Sequence, residues 1–334
     1  MDVGASAYRV LLVGEVFRGA ARGLFDGAVL APSGTVCAFS DALESVQRQH
    51  PDVVMVDLSS PESLKAIARV MGERPVPVLA LHPGLLSDAE AFQALASGAV
   101  DVLPRPAEPG LDFWQAVGRK LLLLAEVRVT RPVGQSKPVR PTAEAAPYPL
   151  VAIASSLGGP KALSVLLKTL PADFPAPVCI CQHISEGFTE GLAQWLGSSS
   201  VLRVVEASDG EAMVPGSIYI ARSGAHLLVR PRGLLSLEPS PPVRGFRPSC
   251  DVLLMSAAES FSTRVLGVIL TGMGRDGARG LKEIRERGGR TIAQDKATCA
   301  VYGMPKEAVR LGAAEEVLPL DQIGPTLTKW VRTC

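Results

Sequence analysis

The sequence predicts an α/β protein made of two parallel-sheet units. Short apolar runs of strand length alternate with helix-spaced stretches on both sides of the chain's middle. The middle, "RVTRPVGQSKPVRPTAEAAPYP", holds five prolines, scattered basic residues and no apolar periodicity, which is a linker composition. Polar residues of chemical interest collect just past the ends of the apolar runs. The 334 residues therefore divide into 1–127, a linker at 128–149, and 150–334.

Composition excludes several classes. Hydrophobic residues make up 47% and charged residues 20%, as expected of a globular chain with well-buried cores. A formal net charge of +1 supplies no global drive toward nucleic acid or anionic membrane. No apolar run approaches the ~20 residues needed to span a bilayer. The start, "MDVGASAYRVLLVGEVF", does not read as a signal peptide, so a cytoplasmic location is expected. The six cysteines show no CxxC pair and no metal-ligand spacing with histidine. They read as buried reduced thiols, with Cys179 and Cys181 expected on opposite faces of a strand.

The first unit reads as five strand-helix units. "YRVLLVG", "DVVMVDL", "PVPVLAL" and "AVDVLPRP" are apolar strand runs, and a weaker strand is read near "GTVCAFS". Helical stretches such as "DALESVQRQH" and "DAEAFQALASG" separate them. In such a sheet the site lies at the carboxyl ends of the strands, which here carry Gly14-Glu15, Asp57, His82 and Arg105. This pattern resembles the receiver domain of response regulators, a flavodoxin-like five-stranded parallel sheet. The resemblance implies a phosphoacceptor at Asp57 and magnesium held by Asp57 and Glu15. The family's acidic pair is Gly14-Glu15 here, its strand-end hydroxyl is His82, and its lysine before proline is Arg105. An arginine keeps the charge but not the compact ammonium. The other reading is a pseudo-receiver that serves as a docking module.

The second unit opens with the strand "PLVAIAS" and the turn "SLGG". "KALSVLLKTL" follows with Leu163, Leu166, Leu167 and Leu170 on one helix face. "APVCICQ" is a strand that stops at His183, "RVLGVIL" one that stops at "TGMGRDG", and "GRTIAQD" one that stops at Gln294-Asp295. "GSIYIARSGAHLLVRPRGLLSLEP" alternates and turns like an antiparallel hairpin added at the edge of a doubly wound parallel sheet.

Ser155, Ser156, His183 and Asp276 all lie just past the ends of expected parallel strands, where an open α/β sheet forms its crevice. A serine, a histidine and an acid are the set nucleophilic acyl transfer requires. Serine needs a neutral imidazole to take its proton, and a carboxylate must hold the tautomer. His183 and His226 are the only histidines of this unit, and His226 sits in an apolar segment as a wall or packing residue. Gly158 and Gly159 permit a sharp turn that bares backbone N–H groups at a helix start. Spacing leaves either serine open as nucleophile. The plainer reading of "SSLGG" is a helix N-cap and a turn. A nucleotide-binding loop is disfavoured, because neither GxGxxG nor GxxxxGK[ST] is present.

Together "ASSLGGP", "CQHISEGFT", "RPSCDVLL", "LTGMGRDGARG" and "AQDKATCAVYGMPKEAV" resemble the catalytic domain of bacterial chemotaxis protein-glutamate methylesterases. The order receiver, linker, esterase is that family's as well. The resemblance implies Ser156 as nucleophile, His183 as general base and Asp276 as orienting carboxylate. It assigns the Met273 N–H to an oxyanion hole, with Gly158, Gly159, Thr271 and Gly272 walling the site. Leu157 stands where the family has threonine, Ser155 where it has alanine, and Arg222 where it often has proline. The implied reaction is hydrolysis of glutamate γ-methyl esters, and deamidation of particular glutamines, on chemoreceptor cytoplasmic helices. The ester chemistry needs no cofactor. The implied upstream partner is the chemotaxis histidine kinase, whose phosphorylation of the receiver relieves its block of the cleft. The competing class is a non-catalytic two-component adaptor.

Overall fold

A computed structural model describes residues 8–14, 16–17, 30–32, 36–84, 93–125 and 148–333. The chain divides into two compact units, Met1–Gly134 and Gln135–Cys334. The linker read at 128–149 falls almost wholly outside the described residues, as does Glu15.

In the first unit, five parallel strands run in the order β2-β1-β3-β4-β5. They are β1 (Tyr8–Val13), β2 (Leu30–Pro32), β3 (Val53–Asp57), β4 (Val78–Pro83) and β5 (Asp101–Arg105). Every residue of β3 is buried, as a parallel strand covered on both faces requires. The weaker strand expected at "GTVCAFS" contributes only an isolated bridge between Val13 and Cys37, while the paired strand β2 lies upstream. Helices Ala42–Gln49 and Glu62–Glu73 bury one stripe each, including Val46 on the first and Ile67 and Val70 on the second.

In the second unit, seven strands run in the order β14-β13-β12-β6-β7-β9-β8, and every pairing is parallel. They are β6 (Leu150–Ser155), β7 (Val178–Gln182), β8 (Arg203–Glu206), β9 (Ser217–Ile220), β12 (Val265–Ile269), β13 (Arg290–Gln294) and β14 (Glu316–Leu318). The central strands β6, β7 and β12 are buried throughout. Leu163, Leu166, Leu167 and Leu170 are all buried, so the face read from the spacing is the one that packs. The helix itself is shorter than its pattern, Gly159–Leu167.

The antiparallel hairpin exists, but as a sheet of its own. It pairs β10 (His226–Arg230) with β11 (Leu234–Glu238), apart from the seven-stranded sheet. The reason is visible in burial. All four residues of β9 are buried, the mark of a parallel strand inside the sheet, and alternation begins only at β10 and β11. The hairpin is tied instead to the helix Cys250–Phe261, where Val229 N–H donates to Ser256 Oγ at 3.0 Å and Ser260 Oγ donates to Val229 O at 2.8 Å.

Helices Cys250–Phe261 and Ala278–Glu286 cap one another. Asp251, in the first turn of the former, accepts the N–H groups of Arg279 and Gly280 at 3.1 and 2.9 Å. Asp276, just before the latter, accepts those of Cys250 and Asp251 at 2.7 and 3.1 Å. Four otherwise orphaned helix-start donors are thereby satisfied. Replacing Asp251 by Ala is expected to destabilise this unit by about 1–3 kcal/mol, because two buried amides lose their acceptor. Chemical denaturation of the full chain checks this; an unchanged midpoint contradicts it.

Candidate active site

The strand order decides where a site can form. β6 is flanked by β7 on one side and β12 on the other, so the strands that follow it build outward first on one side of β6 and then on the other. A crevice opens at the carboxyl ends of such neighbours. Ser156 follows β6, His183 follows β7, and residues 271–276 follow β12.

The two serines have different fates. Ser155 is the last residue of β6, fully buried, and its Oγ donates to Gln182 Oε1 at 2.7 Å. It is committed to the scaffold. Ser156 is half-buried, one step beyond the strand. Its N–H donates to Thr271 O at 3.1 Å, and its carbonyl accepts the Gly159 N–H at 2.8 Å. Gln182 Nε2 lies 2.8 Å from both the Ser156 and the His183 carbonyls, so these two backbones run side by side.

Small residues make the turn possible. Gly158 has φ +76°, and a Cβ there would come within 2.5 Å of Ala300 Cβ. A Cβ on Gly272 would meet Met304 Sδ at 2.3 Å and Ser156 Cβ at 2.8 Å. Thr271 is buried and clamps the loop, donating its hydroxyl to Leu157 O at 2.9 Å and accepting from Val301 N–H at 2.9 Å. Leu157, standing in place of a threonine, is itself buried. Met273 projects outward with half its surface exposed, and its N–H has no acceptor among the described residues.

His183 Nε2 lies 2.9 Å from Asp276 Oδ2. Its ring lies flat on Phe246, with centroids 4.0 Å apart and planes 4° from parallel. Its Nδ1 is buried and has no hydrogen-bond partner among the described residues. With Nε2–H donated to the carboxylate, the lone pair is on Nδ1. Asp276 also accepts Ser249 Oγ at 2.9 Å, besides the Cys250 and Asp251 N–H groups. Burial alone would raise its carboxyl pKa. The hydrogen bond and charge of His183, and the two backbone donors, bring it below the ordinary value instead.

Ser249 is held in turn by a residue that sequence reasoning left as packing. The Ser249 N–H donates to His226 Nδ1 at 3.1 Å, and His226 Nε2 lies 3.2 Å from Pro241 O. His226 is thus a fully satisfied core histidine standing two contacts behind Asp276. Gln182, Ser249, Phe246 and Cys250 were likewise not singled out from the sequence. Only Gln182 carried a signal, as a polar side chain ending an apolar strand beside His183.

In the first unit, Asp57, His82 and Arg105 all stand at carboxyl ends of neighbouring strands. Asp57 is fully buried; Ser59 donates to its Oδ2 through both N–H and hydroxyl, and Arg105 Nε is 3.6 Å from Oδ1. Gly14 brings no side chain, and a Cβ on it would come 3.1 Å from Asp57 Cβ. A divalent hard cation needs several oxygen ligands. Among the described residues of this unit no three metal-donor side chains converge, and the Arg105 guanidinium stands beside Asp57.

The CheB methylesterase family profile matches residues 151–327. The chain belongs to the CheB methylesterase family. The protein-glutamate methylesterase FrzG of Myxococcus xanthus is 62% identical over 333 residues, covering 98% of this chain and all of that one. A protein-glutamate methylesterase/protein-glutamine glutaminase of Anaeromyxobacter dehalogenans is 45% identical, with 89% of each chain covered. The crystal structure of the Thermotoga maritima CheB methylesterase catalytic domain superposes with a TM-score of 0.54 at 42% identity, covering 55% of this chain and 98% of that one. None of these relatives supports the adaptor reading, and no helix among the described residues is long and apolar enough to cross a membrane.

With His183 as general base, the role the sequence resemblance implies, its proton affinity sets the pH response of this CheB methylesterase. Burial alone would lower the His183 pKa, whereas the neighbouring Cys250 and the hydrogen-bonded Asp276 carboxylate raise it above its ordinary 6.5. Cys250 is fully buried and held well above its ordinary value, so it stays a neutral thiol, and the charge stabilising the imidazolium is Asp276's. A base must be unprotonated, so ester hydrolysis is expected to rise with pH through an acid limb above 6.5. Asp276→Asn should move that limb down. A kcat/KM profile against pH checks both; a parent limb at or below the ordinary histidine value contradicts the geometry.

Proposed function

We propose that residues 150–334 hydrolyse glutamate γ-methyl esters, and deamidate particular glutamines, on the cytoplasmic helices of a chemoreceptor. The observation that carries this reading is the orientation of His183: Nε2 toward Asp276, which leaves Nδ1 buried and unpartnered, on a backbone that the Gln182 amide ties to that of Ser156. Ser156 Oγ attacks the ester carbonyl while its proton passes to His183 Nδ1. Asp276 holds the Nε2–H and stabilises the imidazolium. The carbonyl oxygen becomes an oxyanion, to which the free Met273 N–H donates, a contribution of about 3 kcal/mol in comparable sites. The tetrahedral adduct collapses, and methanol leaves with the proton from Nδ1. Water, activated by the same nitrogen, then releases the glutamate. For a glutamine the leaving group is ammonia. Gly158, Gly159, Thr271 and Gly272 hold the turn and the opposite wall.

Residues 1–127 act in this reading as a regulatory or docking module without a phosphorylation switch. The Asp57–Arg105 pair and the missing side chain at Gly14 support it, since phosphoryl transfer to a carboxylate requires a divalent cation beside it. A chemotaxis histidine kinase is then not a phosphodonor to Asp57.

Two measurements test these roles. Methanol release from methylated receptor fragments should fall by roughly 10³–10⁶-fold in Ser156→Ala; retained hydrolysis would remove Ser156 from the reaction. Incubation with a small-molecule phosphodonor and magnesium should leave Asp57 unmodified and hydrolysis unchanged. A stable Asp57 adduct with raised activity would show the switch to be intact.

A further inference from the structure

Cys181, His183 and Cys250 form no metal motif in sequence, yet their donor atoms lie within 4.8 Å of one another. The expectation that Cys179 and Cys181 face opposite ways is wrong. Two residues make one full strand period, and both thiols face the core that contains Cys250. Cys181 therefore points at the start of the Cys250–Phe261 helix. Cys250 Sγ is 3.5 Å from the Cys181 carbonyl and 3.5 Å from His183 Nε2. Asp276 Oδ2 is 2.9 Å from the same Nε2.

We propose that Cys181, Cys250 and His183 form an inhibitory site for a thiophilic divalent cation of the zinc and cadmium class. Two thiolates and an imidazole are a donor set such ions select, with water as the usual fourth ligand of a three-donor site. With metal–sulfur bonds of about 2.3 Å and metal–nitrogen bonds of about 2.0 Å, neighbouring donors stand roughly 3.3–3.8 Å apart. The Cys250–His183 spacing already meets this, and the remaining donors need to close by about 1 Å or less.

The protons and charges balance. Above the acid limb, where His183 is neutral, each thiol releases its proton, so two protons leave as one divalent ion enters and the buried cluster keeps its net charge. The ion takes the Nε2 lone pair, and the ring remains neutral by carrying its proton on Nδ1. Nδ1 then donates and cannot accept. Ester hydrolysis stops with Ser156 untouched. His183 is the one ligand of the three with exposed surface, so the ion reaches the thiols past the imidazole. The inhibitory half rests on His183 being the general base; the binding half does not.

The test titrates the full-length protein with Cd²⁺ in a non-thiol reductant, which keeps the cysteines from forming a disulfide. Thiolate-to-cadmium ultraviolet absorption and methanol release are read in the same samples. One Cd²⁺ per chain should bind, with the absorption growing in step as hydrolysis falls by roughly tenfold or more and returns with a chelator. Cys181→Ala and Cys250→Ala should each lose most of the absorption and the inhibition. Ser156→Ala should keep the absorption. A parent chain that binds cadmium but never hydrolyses ester refutes the esterase reading and leaves the site standing. The proposal is overturned if the parent shows no thiolate–cadmium absorption, if it binds cadmium at full activity, or if inhibition persists in both cysteine variants. The parent's own absorption decides the matter should either variant fail to fold.

Discussion

The second unit is organised around one buried carboxylate. Asp276 is almost fully enclosed, and leaving such a charge unpaired would cost several kcal/mol. It is not unpaired. Two backbone N–H groups at the start of the Cys250–Phe261 helix, the Ser249 hydroxyl and the His183 ring all point at it. The helix start adds its positive dipole end to the hydrogen bonds. Asp251 returns the arrangement by accepting the first amides of the helix that follows Asp276. Two helices, one strand end and one imidazole are thus fixed by the same few contacts. The imidazole is aligned by groups whose first duty is to terminate helices.

The Ser156 side is held by different means. Backbone hydrogen bonds tie Ser156 to Thr271, and the Gln182 amide ties it to His183. At Gly272 the chain passes so close to Ser156 that a methyl group would collide with it. The serine is placed by packing, the histidine by electrostatics, and both rest on a sheet whose central strands have no exposed face. Such placement lets the reacting groups meet without reorganisation when charge develops.

What the sequence made legible follows from what kind of signal each feature leaves. Strands such as 150–155 and 265–269 are unbroken apolar runs, and Ser156, His183 and Asp276 each follow one, so their convergence could be read from topology. Burial pattern separates β9 from the hairpin, but alternation alone merges them, because "SIYI" and "HLLVR" look alike until their neighbours are known. The first-unit strand at 30–32 was displaced to "GTVCAFS" for a similar reason: a single bridge at Cys37 leaves nearly the same apolar trace as a paired strand. Ser249 and His226 were illegible as supports for Asp276, since a hydrogen bond across 23 residues of chain has no spacing signature. In the first unit, Asp57 and Arg105 could be placed at strand ends, but not their ion pair.

The strand order also settles which nitrogen does what. Imidazole is lopsided: one nitrogen hugs the ring's attachment point, and the other sits on its far rim. Seen from the strand that ends at Gln182, the serine's strand is next door and the aspartate's lies one beyond it. A ring rooted there spans the gap only with its far rim toward the distant carboxylate and its near nitrogen toward the neighbour. Had evolution interchanged those two strands, the same three side chains would need the opposite tautomer.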